Sequence, residues 1–266
     1  DRGGIKGGVF DHGFDPTHKG FYHGGDLKGL TAKLDYIQGM GVTAIWFAPV
    51  FKNKPVQGKP GEESAGYHGY WVTDFTSVDP HFGTNAEFKA FVDAAHARGM
   101  KVYMDIITNH TADVIDYAEG EATGYAYRSK GDYPYSRKGG PDGKAINPGF
   151  AGDDNADPAN WAKLTDPAFA YTPVVPEAEK NVKVPAWLND VTLYHNRGNS
   201  HWVGESSVYG DFSGLDDLAT ENPRVVEGMI AIFGQWIDDY GIDGYRIDTA
   251  KHVNPEFWQA FVPAML

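Results

Sequence analysis

Arg246 and Asp248 lie two residues apart in the segment Gly244–Asp248 (GYRID). In an extended chain that spacing puts both side chains on one face. An arginine beside an aspartate lowers the carboxyl pKa and keeps the group ionised. That suits a nucleophilic carboxylate, and it suits a buried structural ion pair equally well. Asp105 sits deep in a second apolar segment, Lys101–Ile107 (KVYMDII), where a carboxylate needs a partner. Arg246 on an adjacent strand is the expected one. Asn109 and His110 follow that segment. Asn109 offers a hard oxygen of the kind Ca2+ takes, and His110 could donate to a sugar hydroxyl. An Asn-His pair at a strand end also serves ordinary loop hydrogen bonding.

The elements that must position these residues repeat one pattern: an amphipathic helix, a glycine, then a short apolar strand ending in polar residues. Leu27, Leu30, Leu34 and Ile37 are spaced for a first helix, closed by Gly39 and Gly41 and followed by the strand Thr43 to Pro49. Thr84 and Glu87 form a capping box that opens a second helix with the apolar stripe Phe88, Phe91 and Ala95. Gly99 and the strand KVYMDII follow. Asn222-Pro223 starts a third helix, expected to face Val226, Met229, Phe233, Trp236 and Ile237 inward, before Gly241 and GYRID. A fourth helix begins near Asn254-Pro255.

Helices alternating with strands predict right-handed crossovers and a parallel sheet. The helix-to-strand joins are a few residues long. The strand-to-helix joins are long: about 34 residues before Thr84 and more than 100 before Asn222. Elaboration confined to the C-terminal ends of strands is where barrel active sites are built. The fold expected is therefore α/β, with residues 1–110 beginning a barrel, 111–214 an inserted irregular subdomain, and 215–266 the barrel continued and cut short. The chain starts without Met and stops within a helical pattern, so both ends are expected to be truncations.

Composition narrows the partners. The net charge of −13 disfavours a phosphate backbone, so no nucleic acid is expected. No run of 18 apolar residues is present, so no membrane span is expected. The absence of cysteine removes disulfides and thiolate chemistry. Aromatic residues at 14% mostly serve packing, with an excess that mildly favours sugar-stacking platforms.

Taken together, five segments resemble the α-amylase family of glycoside hydrolases (family 13). Asp105 to His110 looks like the family motif D-x-x-x-N-H, and Gly244 to His252 looks like G-x-R-x-D-x-x-K-H. Gly41 to Pro49 is similar to the family's second-strand motif. Tyr67-His68-Gly69-Tyr70-Trp71 resembles the Y-H-G-Y-W stretch of the loop that follows. Leu215-Asp216-Asp217-Leu218 resembles L-P-D-L, with Asp216 where the family often has Pro. All five fall in the family's order and spacing. The resemblance implies part of a (β/α)8 TIM barrel, about strands 2–4, with the irregular subdomain inserted after strand 3.

The resemblance also implies roles. Asp248 would be the nucleophile of a retaining hydrolysis of α-1,4-glucosidic bonds in starch-like glucans, fixed by Arg246 and Asp105. His68 and His110 would hydrogen-bond the sugar being cleaved and Tyr70 would stack on it. Lys251 and His252 would contact the leaving-side glucoses. Asn109, Asp217 and the carbonyl of His252 would bind Ca2+. The family's general acid is a Glu ending the fifth strand, expected beyond Leu266, so none of Glu205, Glu221 or Glu256 is assigned to it. The chain alone is then expected to be inactive. A monomer, secreted or periplasmic, is expected. The stretch Tyr194-His195-Asn196 resembles cyclodextrin-forming relatives, which makes a transglycosylase the alternative. A non-catalytic barrel scaffold is disfavoured by the presence of Asp248. His195 and His201 are read mainly as structural, Trp161, Trp187 and Trp202 as a small core, and residues 152–157 as a solvated turn.

Overall fold

The computed structural model describes residues 2–266. The chain divides into two compact units. One comprises residues up to Ile107 with Ile232–Asp248; the other comprises Thr108–Ala231 with Thr249–Leu266.

The first unit is built on three parallel strands, β1 (Ala44–Phe47), β4 (Lys101–Ile107) and β5 (Gly244–Asp248), in the order β1-β4-β5. The registers pair Trp46 with Tyr103, Asp105 with Arg246, and Ile107 with Asp248. Alternation then sets one face of this sheet as Trp46, Tyr103, Asp105, Arg246 and Asp248. The opposite face carries Val102, Met104 and Ile106, all fully buried. Gly244 is needed opposite Tyr103, because a Cβ there would lie 2.8 Å from the tyrosine ring. Among the described residues the sheet stays open and no closed barrel forms.

Helix α3 (Asn85–His96) covers the apolar face. Its capping box forms as expected, with Glu87 N–H donating to Thr84 Oγ1 at 3.2 Å and Thr84 N–H to Glu87 Oε2 at 2.8 Å. Phe88 and Phe91 are fully buried and meet Phe47 edge-on. The C-terminal half of α4 (Pro223–Tyr240) adds Phe233 and Trp236, whose indole N–H donates to Phe75 O at 2.7 Å. The buried stripe of α4 is Val225, Met229, Ile232, Phe233 and Trp236. Val225 and Ile232 therefore replace the expected Val226 and Ile237, a rotation of the face within the same period.

Two local expectations change. The helix expected from Leu27 to Ile37 breaks at Lys33 (φ −101°, ψ 4°) into α1 (Leu27–Ala32), capped by Asp26, and α2 (Leu34–Gly39). The long join after β1 is partly ordered as an antiparallel ladder of β2 (Phe51–Asn53) on β3 (Val72–Val78). Phe51 from this ladder is fully buried against Phe75, Phe233 and Trp236. A short irregular strand carries too few alternations to be read from periodicity.

The second unit is mostly irregular. It has one short antiparallel pair (Asp116–Tyr117 with Pro173–Val174) and several single-turn helices. Its small core gathers Tyr135, Trp161, Leu164 and Phe169, against which Ile146 and Phe150 pack. Asn147 ties this core by donating to the carbonyls of Tyr135 and Asp166 and accepting from the N–H groups of Thr165 and Asp166. Arg197 is fully buried between the Tyr135 and Phe169 rings and donates to the carbonyls of Arg128 and Tyr133. Trp161 belongs to the core as expected. Trp202 does not: it is 44% exposed and meets Phe212 and His252 edge-on.

Candidate active site

In the first unit the sheet delivers its chemistry at the strands' C-terminal ends. One nitrogen of Arg246, Nη1, donates to both oxygens of Asp105 at 3.0 Å and to Asp248 Oδ1 at 2.6 Å. Its two hydrogens are thus shared between a buried carboxylate and a more accessible one: the Asp105 side chain is 1% exposed and that of Asp248 23%. Oδ2 of Asp105 takes two further donors, the Tyr70 hydroxyl and the Trp46 indole N–H, each at 3.2 Å. Burial pushes the Asp105 carboxyl up, and Arg246, Trp46 and Tyr70 pull it back only in part. Burial, with the charges of Asp105 and Asp248, pushes the Tyr70 phenol up to about 12, so it remains a donor at neutral pH.

His68 and Tyr70 stand beside this cluster on a tight loop. Gly69 between them has φ +90°, and a Cβ there would fall 2.2 Å from Pro49 O, so only glycine fits. The Tyr70 N–H donates to His68 Nδ1 at 3.0 Å. That fixes Nδ1 as the acceptor and leaves the ring proton on Nε2. Burial lowers the His68 pKa, favouring this neutral form. His68 also packs edge-on against Trp71, with ring centroids 4.6 Å apart. The loop therefore presents a neutral imidazole donor and a phenol ring side by side.

The second unit holds the other expected residues. Asn109 and His110 run beside Asp217-Leu218: Leu218 N–H donates to Asn109 O at 2.9 Å, and His110 bridges to Asp217. His110 is buried, stacks on Phe212 and accepts from the Asn109 amide at 3.1 Å. His252 is buried on a single helical turn, with Nδ1 2.7 Å from Ser207 O, while Lys251 beside it is exposed.

His195 forms a network that the sequence did not reveal. It is fully buried between Asp217 Oδ2 (2.5 Å) and both oxygens of Glu221 (2.9 Å), and Glu221 also accepts from the Asn254 amide at 3.0 Å. Burial works against charge on this imidazole, but the two carboxylates outweigh it and hold it up to about 10. Asp216, which stands where the L-P-D-L stretch has proline, is buried with Lys183 at 2.5 Å and accepts from the N–H groups of Val114 and Ile115. Glu205 accepts from the Tyr127 hydroxyl and Lys130 N–H.

No group of three or more His, Cys, Asp or Glu arranged to hold a metal occurs among the described residues. A cation near Asn109 and Asp217 would therefore draw on amide and carbonyl oxygens as well as one carboxylate. That is a hard donor set of the kind Ca2+ accepts.

Residues 8–260 match the family model described as the catalytic domain of alpha amylase. The chain is 58% identical over 265 residues to an alpha-amylase of Streptomyces lividans, covering 98% of this chain and 27% of that protein. Among solved structures, an Anoxybacillus alpha-amylase superposes with a TM-score of 0.60 at 32% identity, over 94% of this chain and 39% of its own. The cyclomaltodextrin glucanotransferase CldA superposes with a TM-score of 0.67 at 30% identity, over 100% of this chain and 45% of its own. The chain thus spans under half the length of each. The three parallel strands and their covering helices are, in that company, part of a (β/α)8 barrel. With a family model matched over nearly its whole length, the chain belongs to the α-amylase family.

Proposed function

We propose that this chain carries the nucleophile side of a retaining glycosidase acting on α-1,4-linked glucans such as starch. The observation that supports this best is the hydrogen-bonded series Asp105–Arg246–Asp248 across adjacent strand ends. Asp248 is the more accessible carboxylate of the series. As an anion it attacks the anomeric carbon, and a covalent glycosyl ester divides one hard displacement into two. Arg246, fixed by Asp105, holds that anion in place. His68 Nε2–H donates to a hydroxyl of the bound sugar, and Tyr70 supplies a flat ring for the pyranose face. His110, Lys251 and His252 are assigned to further glucose contacts. The acid partner is not assigned to any carboxyl of residues 1–266.

Residues 1–110 and 215–266 form barrel segments, about strands 2–4, and 111–214 an insertion after strand 3. Asn109, Asp217 and the carbonyl of His252 would hold Ca2+, which when bound would join chain segments far apart in sequence and order the insertion. A monomer located outside the cytoplasm fits a polymeric substrate that cannot cross a membrane. No helix among the described residues is long and apolar enough to cross one.

A fluorinated glycosyl reagent that accumulates the covalent ester tests the mechanism in the full-length protein. Peptide mapping is expected to find the sugar on Asp248; a label on another residue would overturn the assignment. The second reading, glucan transfer with cyclisation, is favoured by the TM-score of 0.67 with the glucanotransferase. Separation of products from starch decides between them: linear oligosaccharides are expected, and cyclic products would favour transfer.

A further inference from the structure

We propose that Trp46 is a positioning residue for the reaction, its indole N–H fixing Asp105 so that Arg246 and, through it, Asp248 are held in attacking geometry. The inference rests on reading Asp248 as the nucleophile. It starts from the register of the sheet. Trp46 on β1 pairs with Tyr103 on β4, which places the indole on the same face as Asp105, two residues further along. From there Nε1–H reaches Asp105 Oδ2 at 3.2 Å, while Arg246 stands over the indole ring with its guanidinium carbon 5.5 Å from the centroid. One side chain therefore touches both members of the pair that supports the nucleophile.

Three donors converge on Asp105: Trp46 from β1, Tyr70 from the loop before β3, and Arg246 from β5. Each removes a different freedom. Arg246 spans both carboxylate oxygens, and the two 3.2 Å bonds to Oδ2 fix the rotation of the carboxyl about its own axis. Among the described residues, the second oxygen of Asp105 accepts from Arg246. Deleting the indole donor releases one of these restraints without removing charge. Burial already pushes the Asp105 carboxyl up, and Trp46 is among the groups that pull it back. Without that donor Asp105 takes up a proton at higher pH, and a protonated Asp105 no longer anchors Arg246 beside Asp248.

The bond to a buried carboxylate sets Trp46 apart from the aromatic residues that only pack. The aromatic residues that build the core of this unit, such as Phe51, Phe75, Phe88 and Phe91, are fully buried and carry no polar atom. The one polar atom of the Trp46 ring is aimed at a buried carboxylate, a contact that filling a core would not require.

The test is Trp46→Phe in the full-length protein, assayed on a soluble maltooligosaccharide. Phenylalanine keeps an aromatic ring and removes the donor. The expected result is a fall in kcat of about tenfold, the scale of one hydrogen bond to a charged group. KM should change by less than about twofold, since Trp46 is not placed against substrate. The acid limb of the kcat/KM profile should move to higher pH. Benzothienylalanine at position 46, which keeps the bicyclic outline and replaces N–H by sulfur, should behave like phenylalanine and decides the matter if the phenylalanine variant does not fold. Wild-type kcat and pH profile in the benzothienylalanine protein overturn the proposal, because shape alone would then suffice. A rise in KM with unchanged kcat overturns it as well, because the ring would then be a substrate contact. Trapping of sugar on Asp248 in the wild-type protein checks the underlying reading independently of either variant.

Discussion

The chemistry turns on one nitrogen. Nη1 of Arg246 serves Asp105 and Asp248 at once, so the buried aspartate aims the arginine and the arginine aims the accessible aspartate. The consequence for mutation is specific. Asp248→Asn keeps the size and can still accept from Arg246, but it removes the charge of the proposed nucleophile. In the full-length protein we expect the variant to fold and bind oligosaccharide as the wild type does, with turnover lower by several orders of magnitude, roughly 10⁴-fold or more. Circular dichroism, a binding isotherm and initial rates check the three parts. Near-normal turnover in Asp248→Asn would remove it from the nucleophile's role.

At the level of elements, the strand ends are tied at their other end by Asp243. Its carboxylate accepts from Val102 N–H at 2.8 Å, from His96 Nε2 at 2.7 Å and from Lys101 Nζ at 3.2 Å, linking the start of β4, the end of α3 and the entry to β5. Partial burial acts against the charge, but these donors outweigh it and hold the carboxyl below its ordinary value. A carboxyl depressed in the folded state contributes stability above its unfolded pKa, near 3.8, and that contribution is lost as pH falls through the folded value. Asp243→Asn is therefore expected to lower stability at pH 7 by about 1–2 kcal/mol. The deficit should shrink as pH falls below about 4. Denaturant melts of both proteins at pH 7 and pH 3 give the comparison, and an equal deficit at both would show that the charge contributes nothing. The strands, the capping box at Thr84 and Glu87, and the crossover helices were all legible in the sequence, because periodicity and caps are local signals. The break at Lys33 and the β2–β3 ladder were not, because they depend on packing around Phe51 and on loop geometry that no local pattern records.

On the scale of the whole molecule, what was legible in the site followed the same division. Asp105, Arg246 and Asp248 were recognisable by spacing and motif, and the structure brings these three together. Trp46 was not singled out inside its apolar run, because the register that sets it on the sheet face of Asp105 is not a local signal. His195 was read mainly as structural, but its burial between Asp217 and Glu221 could not be read from an irregular segment without periodicity. The proposed Ca2+ site belongs to this scale because its ligands come from distant parts of the chain. A ligand that binds only the native state stabilises it by RT ln(1 + [L]/Kd), about 2.7 kcal/mol at a hundredfold excess over Kd. Thermal melts of the full-length protein are expected to shift to lower temperature with chelator and to recover with added Ca2+. An unchanged midpoint, with no metal by elemental analysis, would count against the site.

The pairing of β4 with β5 has a consequence for how the protein is made. Asp105 and Arg246 are 141 positions apart, whereas Trp46 and Asp105 are 59 apart. In closure entropy the longer separation costs only about 0.8 kcal/mol more, because the dependence is logarithmic. In time the difference is large. A ribosome adding about 5–20 residues per second needs roughly 7–28 s to deliver Arg246 after Asp105. During that interval β4 can pair with β1, but its other edge, with Ile106 and Ile107, has no neighbour, and Asp105 has an indole and no cation. The half-built sheet is thus an open edge carrying an unneutralised carboxylate, and a charge at an open edge disfavours edge-to-edge pairing until the arginine has been synthesised.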